Sequence, residues 1–199
     1  MTPEKRVPGT DTAAVSLRPA NATDALCIGV LGMQVFLETY APDGIRPDLA
    51  REVLQTLSPE TTAAALARAD QRFIVAERAG HLLGFAHWRP GAAHAGVQAQ
   101  APAELFRLYV LQRFAGSGLG TRLLRAAEDA AAATGADTVW LTAWSGNTRA
   151  LAFYPRRGYA DVGATAYLIE GIAYENRLFM RRLVAPDRGS AHEGLARPF

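Results

Sequence analysis

Apolar residues follow a helical spacing in the first third of the chain and form strand-like runs after it. Residues 16–19 are predicted to form a short strand, which a helix follows. The apolar face of this helix is predicted to comprise Leu26, Val30, Met33 and Leu37. Two further helices are predicted, one at 47–57 and one after Ser58, where a serine N-cap, a proline and a glutamate follow one another.

From residue 73 onward, compact apolar runs alternate with turns that contain glycine, and these runs predict strands. The predicted strands cover residues 73–76, 82–88, 104–111, 138–144, 166–169 and 177–183. Two helices are predicted among them, one after three closely spaced glycines and one at 147–157. The order β, α, α, α, β, β, β, α, β, α, β, β fits a mixed α/β (α+β) fold, with helices on both faces of one sheet.

The chain is predicted to contain one domain, 15–184, between two segments without regular structure. Residues 1–14 are polar and contain proline and glycine, which favours a disordered N-terminal segment. The tail, 185–199, is predicted to be flexible for similar reasons. Residues 90–103 are rich in glycine, alanine, proline and glutamine and are expected to form an exposed loop.

Composition and charge narrow the range of functions. Hydrophobic residues make up 49% of the 199 residues and charged residues 20%, which is typical of a globular domain. The formal net charge of +2, without basic runs interleaved with aromatic residues, predicts no nucleic-acid partner. The N-terminus lacks an apolar region and no long apolar stretch occurs, so no membrane is expected and a cytoplasmic protein is predicted. The one cysteine, Cys27, lies in an apolar stretch and is expected to be buried.

Three glycines at alternate positions, Gly116, Gly118 and Gly120, join a predicted strand to a predicted helix. Glycine adopts backbone conformations closed to other residues and lets the main chain approach a ligand closely. The free N–H groups and positive dipole end of the following helix suit a phosphate or a pyrophosphate. From the glycines alone, a tight turn without a ligand is an equally good explanation. Dinucleotide-binding and Walker loops fit less well, because the G-x-G-x-x-G spacing and the Walker lysine are absent.

The residues around this turn closely resemble the coenzyme-A-binding motif of the GNAT superfamily of N-acetyltransferases. The matching stretch contains LeuTyrValLeu at 108–111, AlaGlySerGlyLeuGly at 115–120 and ArgLeuLeu at 122–124. A second block resembles the family's next motif, and it comprises 139–144, Asn147, Ala150, 153–154 and 158–159. The resemblance spans about 16–184 and implies the GNAT fold, a central, mostly antiparallel twisted sheet of about seven strands with helices on both faces.

The resemblance also implies an acyl-CoA-dependent N-acetyltransferase that moves an acetyl group directly from acetyl-CoA to a primary amine of a small molecule, without a metal. The stretches 36–40 and 104–110 resemble bacterial PaiA-type polyamine N-acetyltransferases most closely, so a polyamine is one expected acceptor. A polyamine would require a cluster of carboxylates, for which the candidates are Glu38, Asp43, Asp48 and Glu104. Peptide or protein N-acetylation and a non-catalytic acyl-CoA sensor stay open, and so does a homodimer.

The same resemblance assigns cofactor contacts by position. The expected cofactor-binding residues are Tyr109, Val110, Leu111, Ala115, Gly116, Ser117, Gly118, Leu119, Gly120, Thr121, Asn147 and Tyr154. In the family a bulge in the strand frees backbone amides for the acetyl carbonyl, and these would be the amides of Val110 and Leu111. Asn147 would contact the pantetheine arm, cap the short helix, or do both. The family usually has Arg or Gln where this chain has Ala115, so backbone amides are expected to bind the pyrophosphate.

Acetylation of an amine requires a polarised carbonyl, a base for the amine and a proton for the departing thiolate. Tyr154 is the predicted proton donor, because a phenol with a reference pKa of about 10 is neutral at pH 7. Glu104 is the predicted general base, acting directly or through a water, although a solvated glutamate at a strand end explains this residue nearly as well. Glu38, Tyr40 and His87 are the other candidate bases.

Overall fold

The computed structural model describes residues 14–183. The predicted disordered segment 1–14, apart from its last residue, and the predicted tail 185–199 lie outside the described residues. The strands are β1 (Ser16–Pro19), β2 (Arg72–Arg78), β3 (His81–Pro90), β4 (Pro102–Val110), β5 (Thr138–Trp144), β6 (Ala160–Ile169) and β7 (Ile172–Arg182). The helices are α1 (Ala25–Tyr40), α2 (Pro47–Leu57), α3 (Pro59–Leu66), α4 (Leu119–Ala133) and α5 (Thr148–Phe153). The predicted order of elements is confirmed.

One seven-stranded sheet runs through the domain in the order β1-β2-β3-β4-β5-β7-β6. Neighbouring strands are antiparallel except for β4 and β5, which are parallel. These two strands are paired only where 102–104 faces 138–140. Beyond that point they separate, and a gap opens in the middle of the sheet. The expected mostly antiparallel, seven-stranded sheet is confirmed.

Strand β4 contains one residue without a partner. His87 on β3 faces Arg107, whereas the next residue, Trp88, faces Leu105, so Phe106 is left unpaired. An extra residue in one strand bends that strand and interrupts its ladder of hydrogen bonds. The bulge that the family resemblance implies in this strand is therefore present, ahead of the expected cofactor contacts.

Different helices cover the two faces of the sheet. On one face, α4 packs Leu123 and Leu124 against apolar residues of the central strands. On the other face, α1 packs Ile28 against Val75 and Phe85, and α2 and α3 lie beside α1. The gap between β4 and β5 thus lies between two helical layers.

The buried face of α1 differs from the predicted one. Leu26 and Val30 are 61% and 54% exposed, and Cys27 is exposed although burial was expected. Ile28 and Leu31, which also have helical spacing, are buried instead. Because α1 is apolar around much of its circumference, the spacing allowed more than one buried face, and contact with the sheet selected one of them.

By length and composition, one described segment, Ala22–Tyr40, also meets the criteria for a membrane span. It has 19 residues and a mean hydropathy of 1.2, and 44% of its residues are buried. A core helix of a globular domain has the same length and composition. Since α1 packs on the sheet, the apolar character of this segment is accounted for by the fold.

The last two strands are longer than predicted. β6 begins at Ala160 instead of 166, and β7 begins at Ile172 instead of 177. Much of β6 is exposed at the edge of the sheet, so its sequence has no regular alternation of buried and exposed positions. Glu170 and Gly171 join the two strands with φ angles of 47° and 82°, as in a two-residue hairpin turn.

Candidate active site

The gap between β4 and β5 is part of a cavity of about 430 Å³. Its walls are β4, the turn before α4, the start of α4, the end of α1 and α5. The expected cofactor-binding residues that line it are Tyr109, Val110, Ala115, Gly116, Gly118, Gly120, Thr121, Asn147 and Tyr154. Leu111, Ser117 and Leu119 do not line it. The fold therefore brings the two sequence motifs together around one space.

Two glycines determine the shape of the turn before α4. Gly116 and Gly118 have φ angles of 79° and 83°, in the left-handed region where a β-carbon causes strain. No atom lies within 4 Å of the position of a β-carbon added to either residue, so the turn is open on that side. Gly118 is the N-cap of α4, a helix whose first N–H groups have no partner inside the helix. A phosphate or pyrophosphate fits this helix start.

The backbone of β4 directs polar groups into the gap. The Leu111 amide donates to the Leu83 carbonyl at 3.0 Å and is therefore not free. The contact predicted between this amide and the acetyl carbonyl is wrong. In an antiparallel pair, alternate residues direct their N–H and C=O groups toward the partner strand. Val110 and Leu108 therefore direct theirs away from β3 and into the gap. Leu108, which lines the cavity, was absent from the expected contacts.

Tyr154 lies at the C-terminal end of α5, against the sheet. The residue is 8% exposed, and its ring packs against the rings of Tyr159 and Phe179, with centroids 5.6 and 5.8 Å away. Burial raises the pKa of Tyr154 above its ordinary value. A raised pKa keeps the phenol protonated at neutral pH, which is the state that a proton donor requires.

Asn147 holds α5 in place at its N-terminus. Its side-chain oxygen accepts a hydrogen bond from the Ala150 amide at 3.0 Å, as N-cap residues do. The capping function expected for Asn147 is confirmed. The residue also lines the cavity, so the cap lies beside the space for a ligand.

Arginines from α5 and the turn after it add positive charge to the cavity. Arg149, Arg156 and Arg157 line the cavity. Arg157 donates to the Thr121 hydroxyl at 3.0 and 2.6 Å, and its guanidinium lies 3.5 Å from the ring centroid of Phe153. Burial lowers the pKa of Arg157, and neighbouring arginines lower it further. Sequence reasoning missed these residues, and the adjacent arginines at 156–157, separated from Tyr154 by one proline, were the available signal.

Glu104, the predicted base, does not line this cavity. It is 7% exposed, and its carboxylate accepts a hydrogen bond from Arg89 Nε at 2.8 Å within an ion pair. Burial raises the pKa of Glu104, and the positive charge of Arg89 opposes that shift. The structure therefore places Glu104 in a buried ion pair at the narrow end of the gap, rather than in the cavity with Tyr154.

Of the other three candidate bases, Tyr40 is the one that lines the cavity. Its ring stacks on Trp144 with centroids 5.3 Å apart, and burial raises its pKa. Glu38 is exposed and accepts a hydrogen bond from Gln34 at 2.9 Å. His87 lines a different cavity.

The carboxylates suggested for a polycationic acceptor are only partly available. Asp48 forms an ion pair with Arg46 at 2.7 Å, and that guanidinium lowers the pKa of Asp48. Glu104 is likewise paired with Arg89. Two of the four carboxylates are therefore neutralised by arginine. In the described part of the chain, no three His, Cys, Asp or Glu side chains meet in a group suited to a metal ion.

Comparisons with known proteins agree with this geometry. Residues 36–159 match the model of the acetyltransferase (GNAT) family. PaiA N-acetyltransferase from Thermoplasma acidophilum, solved with coenzyme A, superposes with a TM-score of 0.67 at 19% identity, over 85% of this chain and 99% of that chain. NAA60 from Arabidopsis thaliana, solved with a bisubstrate analogue, superposes with a TM-score of 0.64 at 17% identity, over 87% of this chain and 100% of that chain. YncA from Salmonella typhimurium, solved with acetyl-CoA, superposes with a TM-score of 0.60 at 19% identity, over 89% of this chain and 99% of that chain.

These similarities and the cavity support one conclusion. The family match covers more than half of the chain and includes the glycine turn, Asn147 and Tyr154. The structural neighbours share the fold, and at these identities they do not distinguish one acceptor from another. The cavity includes the N-terminal end of α4 and residues of β4. The chain belongs to the GNAT family and is an acetyltransferase that acts with acetyl-CoA.

Proposed function

We propose that this enzyme transfers the acetyl group of acetyl-CoA directly to a primary amine of a small molecule. The observation that carries the proposal is the cavity of about 430 Å³, in which Tyr154, the Val110 backbone and the start of α4 face one space. No cysteine lines this cavity, and Cys27 is exposed near the start of α1. A covalent acetyl-thioester on the enzyme therefore has no candidate residue among 14–183, which favours direct transfer.

In this proposal, the backbone binds most of the donor. The turn at Gly116–Gly118 and the first amides of α4 hold the pyrophosphate, and Arg157 and its neighbours add positive charge. The N–H groups of Val110 and Leu108 donate to the thioester carbonyl, where negative charge develops in the transition state. Asn147 contacts the pantetheine arm from the cap of α5.

Tyr154 supplies the proton that the reaction needs at sulfur. The neutral amine nitrogen attacks the carbonyl carbon, the N–C bond forms, and the C–S bond breaks with its electron pair going to sulfur. The nitrogen then releases its extra proton to solvent. The Tyr154 hydroxyl protonates the thiolate, and solvent returns a proton to the phenolate. The base function predicted for Glu104 would require relay through water, since its carboxylate is paired with Arg89.

The loop between β3 and β4 favours a small acceptor. Trp140 Nε1 donates to the Ala92 carbonyl at 2.7 Å, and the ring of His94 lies 5.0 Å from that indole. Gly96 approaches Leu178 on β7 so closely that an added β-carbon would lie 2.7 Å from that side chain. The loop, whose residues 91–101 are exposed or partly exposed as expected, folds over β5 and β7, which narrows the space for an extended peptide. A polyamine has less support, because Asp48 and Glu104 are paired with arginines.

Acetylation of an amine panel tests the proposal. The full chain is incubated with acetyl-CoA and, in separate reactions, aliphatic amines, polyamines, amino acids and short peptides, and released coenzyme A and acetylated product are measured. We expect turnover with at least one small amine and little with peptides. If acetyl-CoA binds and no amine is acetylated, the protein is an acyl-CoA sensor. Turnover confined to peptides would establish peptide N-acetylation instead.

A further inference from the structure

A second cavity, of about 260 Å³, lies on the face of the sheet that α1 and α3 cover. Its apolar wall includes Ile28, Phe73 and Phe85, and polar side chains of α2, α3, β3 and β4 also line it. None of the residues that line it takes part in the proposed acetyl transfer. Its volume is sufficient for a small organic molecule.

His87, one of the residues that line this cavity, has a buried ring nitrogen without a partner among the described residues. His87 is 2% exposed, and its Nε2 forms a hydrogen bond with the Gln71 side-chain oxygen. Since that oxygen only accepts, Nε2 carries the ring proton and Nδ1 is an acceptor. Nδ1 is buried and has no hydrogen-bond partner among residues 14–183. Buried acceptors of this kind are rare and costly without a donor.

The surroundings keep this imidazole neutral. Burial lowers the pKa of His87 to about 2, and the positive charges of Arg107 and Arg89 contribute to the shift. The ring is also stacked on Phe73 with centroids 3.9 Å apart. At neutral pH the ring therefore presents a fixed acceptor, which suits an N–H or O–H group of a ligand.

The same cavity has an unbalanced positive charge. The guanidinium groups of Arg89 and Arg107 lie 4.2 and 4.3 Å from the ring centroid of Phe106, the bulge residue. Arg89 is paired with Glu104, whereas Arg107 forms no ion pair with a carboxylate in the described residues. Glu104 is the carboxylate that faces both arginines. Two guanidinium groups against one carboxylate favour a further anion, and the planar donors of Arg107 match a carboxylate.

From these observations we propose that the second cavity is a binding site for a small carboxylic acid that has an apolar side group and an N–H or O–H donor. The carboxylate contacts Arg107, the donor faces His87 Nδ1, and the apolar group packs on Phe73 and Phe85. Arg107 precedes Tyr109 by two residues on β4, so their α-carbons are about 7 Å apart. Tyr109 lines the first cavity, which is called the acetyl-CoA cavity below because we propose that acetyl-CoA binds there. A ligand here is therefore either the acetyl acceptor itself or an effector beside the reaction centre.

Matched acids and amides test the site without relying on acetyl transfer. Binding of L-phenylalanine, L-leucine and 3-phenyllactate to the full chain with coenzyme A is measured by calorimetry, and each is compared with its own carboxamide. Each pair differs in one negative charge, so we expect the acid to bind on the order of tenfold or more tightly than the amide. Equal affinity of acid and amide, or no binding by any acid, would overturn the proposal.

Variants locate the site. Arg107→Met is expected to abolish the preference for acids, whereas Arg182→Met, which removes the same charge at an exposed position on β7, is expected to preserve it. His87→Phe should weaken acid and amide alike, by several-fold, because both retain the donor. If Arg107→Met does not fold, Arg107→Lys serves instead, with a reduced preference expected. An unchanged preference for acids in Arg107→Met, or in Arg107→Lys where that variant is used, contradicts the assignment.

Mass spectrometry of the same mixtures, with acetyl-CoA added, distinguishes the two sources of ligand. If a bound amino acid is acetylated, the ligand of this cavity is the acetyl acceptor. If the amino acid and 3-phenyllactate, which has no amine, both bind and neither is acetylated, the ligand is an effector. Both results support the site. The amine panel can fail while these acids still bind, so failure of the proposed function and failure of this inference are separate outcomes.

Discussion

The acetyl-CoA cavity and the second cavity lie along the same strand and are built in different ways. The first is shaped by main chain, with Gly116 and Gly118 in the left-handed region and the start of α4 beside them. The second is shaped by side chains, above all His87, Arg89 and Arg107. A main-chain site depends on glycine spacing that is visible in sequence. A side-chain site assembled from several elements leaves no such pattern.

The difference between the two kinds of cavity also predicts which residues affect catalysis and which affect stability. Tyr154 and Asn147 act on a space that the backbone has already formed, so their removal is expected to change chemistry or affinity more than folding. Glu104 and Arg89 form an ion pair at the narrow end of the gap, outside the cavity, so changes there are expected to affect stability more than chemistry. Three substitutions test this contrast.

Tyr154→Phe is expected to have the largest effect. Loss of a general acid lowers kcat by about a hundredfold or more, while the affinity for acetyl-CoA stays close to that of the unaltered enzyme because the ring remains. Tyr159→Phe is the matched control. Its hydroxyl donates to buried Glu128 at 2.8 Å, so its removal should lower the melting temperature and leave kcat nearly unchanged. Steady-state kinetics measure kcat, and calorimetric titration of coenzyme A measures affinity. An unchanged kcat in Tyr154→Phe would show that Tyr154 is not the proton donor.

Gly118→Asp is expected to weaken acetyl-CoA binding by roughly 10- to 100-fold, because it adds a negative charge at the helix start that holds the pyrophosphate. Gly135→Asp is the matched control. Gly135 follows the other end of α4, also has a positive φ, 91°, and has no atom within 4 Å of an added β-carbon. Both variants add a β-carbon at a positive φ and should lose stability, Gly135→Asp the more because its charge lies at the negative end of the helix dipole. Only Gly118→Asp should lose affinity. Equal affinities in a calorimetric titration would show that this turn does not bind the phosphates.

Glu104→Gln is expected to have the smallest effect on activity, a change in kcat of about threefold or less, since the carboxylate lies outside the cavity. Because burial raises the pKa of Glu104, the folded state holds this proton more tightly than the unfolded state does. The free energy of unfolding should therefore fall as the pH rises from about 4.5 through the raised pKa. That decline should be smaller in Glu104→Gln. Denaturant titrations at several pH values in this range measure the free energy of unfolding. A hundredfold loss of kcat in Glu104→Gln at unchanged stability would restore Glu104 as the base.

Much of the fold could be predicted because local signals agreed with tertiary structure. The helix start at Ser58 and the apolar runs of the central strands each predicted the element that formed. The failures occurred where local pattern was ambiguous. α1 has two apolar stripes, and only its contact with Val75 and Phe85 buries Ile28 rather than Val30. The edge strand β6 has little to bury, so its first residues had no pattern to follow.

For the site, the sequence by itself determined the donor side. Glycine at 116 and 118 is required by backbone conformation, and because a conformational requirement is local, the turn was visible in the sequence. The resemblance of the flanking residues to the GNAT motifs then implied coenzyme A. Only the tertiary structure decided that the Leu111 amide is bonded to Leu83, that Arg157 donates to Thr121 in the first turn of α4, and that Arg89 is paired with Glu104. These contacts join residues distant in sequence, and the separation of β4 from β5 and the docking of α5 determine which of them meet.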